Sequence, residues 1–193
     1  MDYGRSFTYM LKSGQYGKIL IGGLLLLVPI FGWAVVGGYG IRVMRGVAAG
    51  DEALPEWTGW GELFTTGLLL WLAGLIYSLP SLLLSRLGIA GSLLSTLWSI
   101  VVYVVLPAAI IRFAMTNNFG AFFEFAQIKD FIQRNLNNYI VVILLTLAAG
   151  IIASFGVILL IIGVIFTYFW FSLVASHLSG QLWRTSTGRA PLA

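Results

Sequence analysis

The sequence has no cysteine and very few charged residues. Among its 193 residues, only 9% are Asp, Glu, Lys or Arg. The lack of cysteine excludes disulfide bonds, thiolate catalysis and Cys-ligated metal clusters. Soluble proteins carry about 25% charged residues, so this chain has too little charge to solvate a globule of its size. The composition indicates an integral membrane protein.

Acidic residues are missing from the middle of every apolar segment. A proton- or sodium-coupled carrier would need such a ligand near the membrane centre. The sequence also offers no carboxylate pair, Ser-His-Asp set, metal-ligand cluster or phosphate-binding loop. We therefore expect a protein that is not an enzyme and that binds no metal.

Long apolar runs make up most of the chain, since 59% of its residues are hydrophobic. Four blocks can be read, at residues 19–41, 63–84, 89–111 and 139–173. The fourth is long enough to cross twice, and its ASFG stretch at residues 153–156 allows a reversal. The SRLGIAG stretch at residues 85–91 is a short turn between the two middle blocks.

The VPIFGW stretch, residues 28–33, decides whether the first block crosses once or turns back. A single helix of about 34 Å would span, whereas a hairpin turning near Pro29 leaves arms of about 10 residues and would be short or re-entrant. The hairpin places ten of the eleven basic residues on one side and leaves only Arg86 on the other. A single span would instead leave four basic residues on one side of the membrane and seven on the other. Basic residues collect on the cytoplasmic side, so we expect the hairpin.

We expect an all-α membrane bundle of about six hydrophobic segments in three hairpins, forming one domain over residues 1–193. Its three parts are residues 1–50, 51–116 and 117–193. Each part opens with a polar or amphipathic lead-in, at residues 3–17, 51–62 and 117–137. Such segments are typical of helices that lie in the membrane interface.

Aromatic residues recur in the LPEWTGWGELF stretch, residues 54–64. Trp57, Trp60 and Phe64 have the spacing of one face of a short helix. This face would anchor the chain in the headgroup layer, because indole rings prefer that layer. The alternative is a docking patch for a partner protein, since Trp is common at binding hot spots.

His177 is the only histidine in the sequence. It lies about 21 residues beyond the reversal at Gly156, or about 31 Å along a helix, which places it near the cytoplasmic headgroups. We expect an interfacial, hydrogen-bonded histidine. Haem or chlorophyll on His177 is the competing interpretation, but the sequence offers no second ligand.

Four arginines, Arg42, Arg45, Arg112 and Arg184, each follow an apolar segment. They are candidates for contact with lipid headgroups or a partner, as basic-pocket residues or as snorkelling anchors. Only about 10 residues separate Arg42 from the proposed turn, so it is our first candidate for an internal polar contact. Small residues at Ser172, Ser176 and Gly180 would let helices pack closely.

The chain resembles the DUF4013 family of uncharacterised multi-pass membrane proteins of bacteria and archaea. The resemblance rests on the KILIGGLLLLVPIFGW stretch, on RVMR followed by LPEW and WGELF, and on LVASHLSGQLWR near the end. The family has no assigned activity. The resemblance therefore implies a prokaryotic membrane protein and implies no catalytic residues.

For function we carry two hypotheses. The first is a non-catalytic accessory or scaffold subunit of a larger membrane complex, with membrane lipids and other membrane-protein subunits as partners. The second is a small oligomeric channel or facilitator that uses Arg42 and the serines of residues 92–99. In both cases we expect the prokaryotic plasma membrane, with both termini cytoplasmic, and no nucleic-acid partner.

Overall fold

The computed structural model describes residues 1–11, 14–51, 53–156 and 160–188. Lys12 and Arg189, two of the basic residues counted above, lie outside these ranges. Within them the chain forms α-helices, short 3-10 turns and connecting segments, without a strand. The predicted all-α class is confirmed. The helices are α1 Tyr3–Thr8, α2 Tyr16–Leu25, α3 Phe31–Ala49, α4 Trp60–Leu84, α5 Gly88–Thr116, α6 Phe125–Arg134, α7 Leu136–Ser154 and α8 Leu160–Ser186.

The chain packs into two compact units. Unit 1 comprises Met1–Leu68 and Asn135–Ala193, and unit 2 comprises Leu69–Arg134. Unit 1 therefore joins α1, α2 and α3 at the start of the chain to α7 and α8 at its end. Because these helices are far apart in sequence, unit 1 is held together by long-range contacts.

The first apolar block is a hairpin, as predicted. α2 ends at Leu25, α3 begins at Phe31, and residues 26–30 form the turn between them. The two helices run in opposite directions, because Trp57, which follows α3, donates its indole N–H to the carbonyl of Lys18 near the start of α2. Ile30 has φ +65°, a left-handed conformation that is rare for a β-branched residue, so its neighbours must hold it there.

α8 lies at the centre of unit 1. It packs on α3 through small residues: a Cβ added to Gly180 would lie 2.7 Å from the Met44 carbonyl, and one added to Gly40 would lie 2.8 Å from Ser176 Oγ. The predicted close packing at Ser176 and Gly180 is therefore confirmed. Phe169, Leu173 and Leu178 of α8 are fully buried.

α7 and α8 form the third hairpin. Thr167 of α8 donates its hydroxyl to the carbonyl of Ala153 near the end of α7, so the two helices run antiparallel. Between Asn135 and Trp183 the sequence has no Asp, Glu, Lys or Arg. This hairpin therefore brings no charge into unit 1 except at the end of α8.

α3 crosses the beginning of α4 at two glycines. A Cβ on Gly38 would collide with the Leu63 carbonyl, and a Cβ on Gly67 would collide with the Ala34 carbonyl. Both obstacles are backbone atoms, which cannot rotate away. Glycine is therefore needed at both positions for the two backbones to approach this closely.

Unit 2 contains the rest of α4, together with α5 and α6. Ser81 of α4 and Ser95 of α5 each donate a hydroxyl to the carbonyl of the other, at 3.3 and 3.2 Å, so the serines tie the two helices together. α6 is amphipathic, with Ile128 buried and Lys129 and Asp130 exposed. Among the residues that the structure describes, three helices are long and apolar enough to cross a membrane, namely α4, α5 and α7.

The glycine crossing gives a direct test. Gly67→Ala should lower the unfolding free energy by about 1–3 kcal/mol, because the added methyl meets backbone rather than a flexible side chain. Gly74→Ala in the same helix is the matched control, since its Cβ would meet nothing within 4 Å among the described residues. Unfolding in mild detergent would measure both, and equal stability of the two variants would contradict the close crossing.

Candidate functional site

Most of the charged side chains that the structure describes in unit 1 lie where α3 and α8 end and α1 and α2 begin. We call this cluster the polar end, defined by Asp2, Lys18, Arg42, Glu56, Glu62, Gln181 and Arg184. Its members come from six separate segments of the chain. The turn at residues 26–30, by contrast, contains no charged or hydroxyl side chain.

Trp57 is an interior residue of the polar end. Its ring stacks on Tyr39 with centroids 3.8 Å apart, and only 8% of the residue is exposed. The prediction that Trp57, Trp60 and Phe64 share one helical face is wrong, because α4 begins only at Trp60. Gly59, between Trp57 and Trp60, has a left-handed φ of +65°, which a right-handed helix does not contain.

Trp60 and Phe64 lie on the first turns of α4. Trp60 is 40% exposed and stacks on Trp57, while the half-buried Phe64 stacks on Phe31 with centroids 5.4 Å apart. Trp60 is thus the exposed indole of the three predicted contact residues. Its contact with lipid or a partner stays a prediction.

Arg42 holds the segment that joins α3 to α4. Its Nη1 donates to the Thr58 carbonyl at 2.6 Å and to the Glu56 carbonyl at 3.3 Å, and its Nη2 lies 3.2 Å from a Glu62 oxygen. The expectation that Arg42 makes an internal polar contact is confirmed. Arg45 lies 4.0 Å from the other oxygen of the same carboxylate.

Lys18 fastens the same segment to α2. Its ammonium donates to the Leu54 carbonyl and lies 2.7 Å from Glu56 Oε1. The Glu56 side chain is 74% exposed, so solvent screens the ion pair, and the pair adds little to the stability of the fold. The hydrogen bonds to main-chain carbonyls are what fix residues 54–58 against α2 and α3.

His177 lies in the interior of unit 1, with 0% of its surface exposed. Its Nδ1 lies 2.9 Å from Ser6 Oγ and 3.0 Å from Gln181 Nε2, and its ring stacks on Tyr9 with centroids 4.1 Å apart. The predicted hydrogen bonding is confirmed. Its partners tie α8 to the first residues of the chain.

The amide of Gln181 has a fixed orientation. The Asp2 main-chain N–H donates to Oε1 at 2.8 Å, and Nε2 donates to the Asp2 carbonyl at 2.8 Å. Turning the amide over would set donor against donor and acceptor against acceptor. Nε2 is therefore the atom that faces His177.

This orientation determines the tautomer of the neutral imidazole. Because an amide nitrogen only donates, Nδ1 of His177 must accept the hydrogen bond from Gln181. The ring proton of the neutral form then resides on Nε2. Gln181 Nε2 carries two hydrogens. The Asp2 carbonyl takes one of them, so Nδ1 and Ser6 Oγ, which lies 3.1 Å away, share the other.

A serine hydroxyl next to an imidazole nitrogen can form the nucleophile and base of a hydrolase. Here Ser6 and His177 are both 0% exposed, and the Gln181 amide shares the same ring nitrogen. We interpret the pair as a structural clasp that holds α1 on α8. Either ring nitrogen of a histidine can ligate haem or chlorophyll, and these contacts occupy one of them, Nδ1. The expectation that the protein binds no cofactor stays a prediction.

Tyr9 completes this cluster. Burial raises the pKa of the Tyr9 phenol well above its usual value, and the nearby Tyr39 raises it further. The phenol therefore keeps its proton at neutral pH, and its hydroxyl lies 3.4 Å from the Leu173 carbonyl as a donor. Tyr9 thus adds a second attachment of the N-terminal residues to α8.

The remaining arginines also contact their own chain. A Cβ added to Gly50 would lie 2.5 Å from Arg184 Nη1, so this guanidinium sits at the C-terminal end of α3, where the helix dipole favours a cation. In unit 2, Arg112 pairs with Glu124 and its side chain is 17% exposed. Contact of the four arginines with lipid or a partner stays a prediction.

Sequence reasoning missed Asp2, Ser6, Tyr9 and Gln181. The one readable signal was the i, i+4 spacing of His177 and Gln181 on an otherwise apolar helix, which places two polar side chains on one face. Ser6 precedes His177 by 171 residues, and no local pattern could pair them.

The fold and the polar end together define an all-helical integral membrane protein in which polar side chains such as Arg42, Ser81 and His177 form hydrogen bonds with other parts of the same chain. The model of the protein family of unknown function DUF4013 matches residues 21–162. The chain therefore belongs to the DUF4013 family. Searches of curated proteins and of solved structures find no match.

The tautomer of His177 can be measured directly. Because the chain has a single histidine, ¹⁵N NMR gives one pair of ring-nitrogen signals. At a pH where the ring is neutral, we expect Nδ1 to be unprotonated and Nε2 to be protonated. Gln181→Leu should weaken this preference. A neutral ring protonated on Nδ1 would contradict the hydrogen-bond assignment.

Removing the Gln181 amide should also release the N-terminal residues. Gln181→Leu keeps the size of the side chain but deletes the bonds to Asp2 and Ser6, so we expect a loss of about 1–3 kcal/mol in unfolding free energy. Trypsin cleavage after Arg5, followed by mass spectrometry, should become faster. Thr185→Val, one turn away, is the control. Equal cleavage of the two variants would show that Gln181 does not hold α1.

Proposed function

We propose that this protein is a non-catalytic accessory or scaffold subunit of a larger membrane complex. The observation that carries the proposal is that polar side chains on several helices are engaged by the chain itself. Arg42 binds main-chain carbonyls, His177 binds Ser6 and Gln181, and the Ser81 hydroxyl binds Ser95. These contacts give such side chains a structural role and leave them poorly suited to a substrate or an ion.

The long helices provide the surface on which partners would assemble. In the apolar stretches of both α4 and α5, only 17% of the residues are buried. Leu93 and Leu97 of α5 are 65% and 60% exposed. In a bilayer this surface meets lipid chains or the helices of other subunits, and its extent supports a role in assembly.

The membrane layout follows from the polar end. Lys18, Arg42 and Arg184 lie there, and Arg45 is next to Glu62 of the same cluster, so by the positive-inside rule we propose a cytoplasmic location for the polar end. We accordingly propose the prokaryotic plasma membrane, with both termini cytoplasmic. Lipid headgroups are the partners of this surface, and other membrane-protein subunits are the partners of the helices.

Purification in mild detergent tests the proposal. We expect the chain to comigrate with one or more membrane proteins at a fixed stoichiometry, and a photo-crosslinker at the exposed Leu97 to join it to them. A crosslinker at Ala73, which is 0% exposed, is the matched control and should give no intermolecular product. Recovery of the chain alone, without a crosslinked product at Leu97, would contradict the proposal.

The channel hypothesis makes the opposite prediction in liposomes. The purified chain should then carry an ion or small solute, and Ser99→Ala should reduce that flux without loss of fold. We expect liposomes that contain the protein to be no more permeable than empty ones. Flux that depends on Ser99 would replace the accessory role with a channel.

A further inference from the structure

The tip of the first hairpin, which we define as residues 24–33, exposes an apolar surface. Leu27, Val28 and Ile30 are 54%, 47% and 62% exposed, and Phe31 and Trp33 are 43% and 48% exposed. The tip carries no charged, amide or hydroxyl side chain. Such a contiguous patch is unfavourable in water and marks a surface that meets something apolar.

The main chain of the tip forms hydrogen bonds within itself. On the α2 side, the amides of Leu26, Leu27 and Val28 donate to carbonyls three residues earlier, at 2.9–3.1 Å. On the α3 side, the amides of Phe31, Gly32 and Ala34 donate to Pro29, Val28 and Ile30, at 2.7–3.0 Å. Pro29 has no N–H to satisfy. These six amides of the reversal are thus satisfied within the chain, in the way that hydrocarbon requires.

Trp33 completes this arrangement. Indole rings at a membrane surface usually turn their N–H toward water. Although Trp33 is 48% exposed, its Nε1 donates to the carbonyl of Leu26 at 2.9 Å. The side chain therefore caps a carbonyl at the end of α2 and presents only its apolar faces outward.

The helix lengths place the tip at depth. From Arg42, in the polar end, α3 runs 11 residues back to Phe31, which is about 16 Å at ~1.5 Å per residue. The hydrocarbon core is about 30 Å thick, so the tip lies close to its middle. The 10 residues of α2 give about 15 Å, which is too short to cross.

We propose that the hairpin tip is a lipid-contact surface: it enters the bilayer from the side of the polar end, stops near the middle, and packs its apolar side chains against acyl chains. Trp33 is the capping residue that keeps the reversal free of water. This inference does not depend on the accessory role, because a scaffold and a channel could both contain such a re-entrant hairpin.

Spin labels test the depth of the tip. Because the chain has no cysteine, single cysteines at Leu27 and Ile30 can carry the only nitroxides, with Asp51→Cys at the polar end as the control. In vesicles of phosphatidylcholine and phosphatidylglycerol, the tip labels should be relaxed strongly by oxygen and weakly by a water-soluble nickel chelate. The label at residue 51 should show the reverse.

Other outcomes would overturn the proposal. Strong relaxation of the tip labels by nickel would place the tip in water or at the far headgroups. Weak relaxation by both reagents would mean that protein, such as a second copy or another subunit, covers the tip instead of lipid. Either result would stand independently of the co-purification experiment.

The role of Trp33 has its own test. Trp33→Phe keeps an aromatic ring but removes the donor to Leu26, so nickel relaxation at residue 30 should rise several-fold as water reaches the uncapped carbonyl. Trp60→Phe is the control: it changes the exposed tryptophan at the start of α4 and should leave nickel relaxation at residue 30 unchanged. No difference between the two variants would show that Trp33 is not a cap.

Discussion

Hydrocarbon offers no hydrogen-bond partner, so each polar group that enters it must be satisfied by the chain itself. An unpaired amide or hydroxyl in an apolar environment costs roughly 2–7 kcal/mol, depending on the reference state. This constraint accounts for the reversal at residues 26–30, where amides of both arms bond within the turn and Trp33 caps a carbonyl. Burial inside the protein imposes the same requirement on the clasp between Gln181, Asp2, Ser6 and His177, because Ser6 and His177 are fully buried.

α8 connects these features. One side of it accepts α3 through Gly180 and Ser176, and another binds the N-terminal residues through His177 and Gln181. The charged groups that the structure describes in unit 1 then collect at one end and leave the hairpin tip apolar. A unit whose polar residues are used in this way is suited to a fixed structural role in the membrane, and this agrees with the accessory function that we propose.

Several parts of this fold were predictable from the sequence. Proline, glycine and the distribution of basic residues indicated the reversal near Pro29, and the apolar runs indicated the α4–α5 and α7–α8 hairpins. The spacing of Trp57 and Trp60 gave a wrong prediction, because Gly59 between them has a left-handed φ of +65° that interrupts the helix. The partners of Trp57 and His177, namely Tyr39 and Ser6, were not predictable, because stacking and hydrogen bonds between distant segments leave no local pattern.

The central claim is that the chain reverses within the membrane, so that the N-terminal residues and the segment after α3 share one side. Single cysteines at Gly4 and Asp51, both exposed, can be labelled with a membrane-impermeant thiol reagent in sealed vesicles of known orientation. We predict that both react from the cytoplasmic side. Reaction of the two positions from opposite sides would mean that residues 19–41 cross the membrane once, which would contradict the hairpin and the layout built on it.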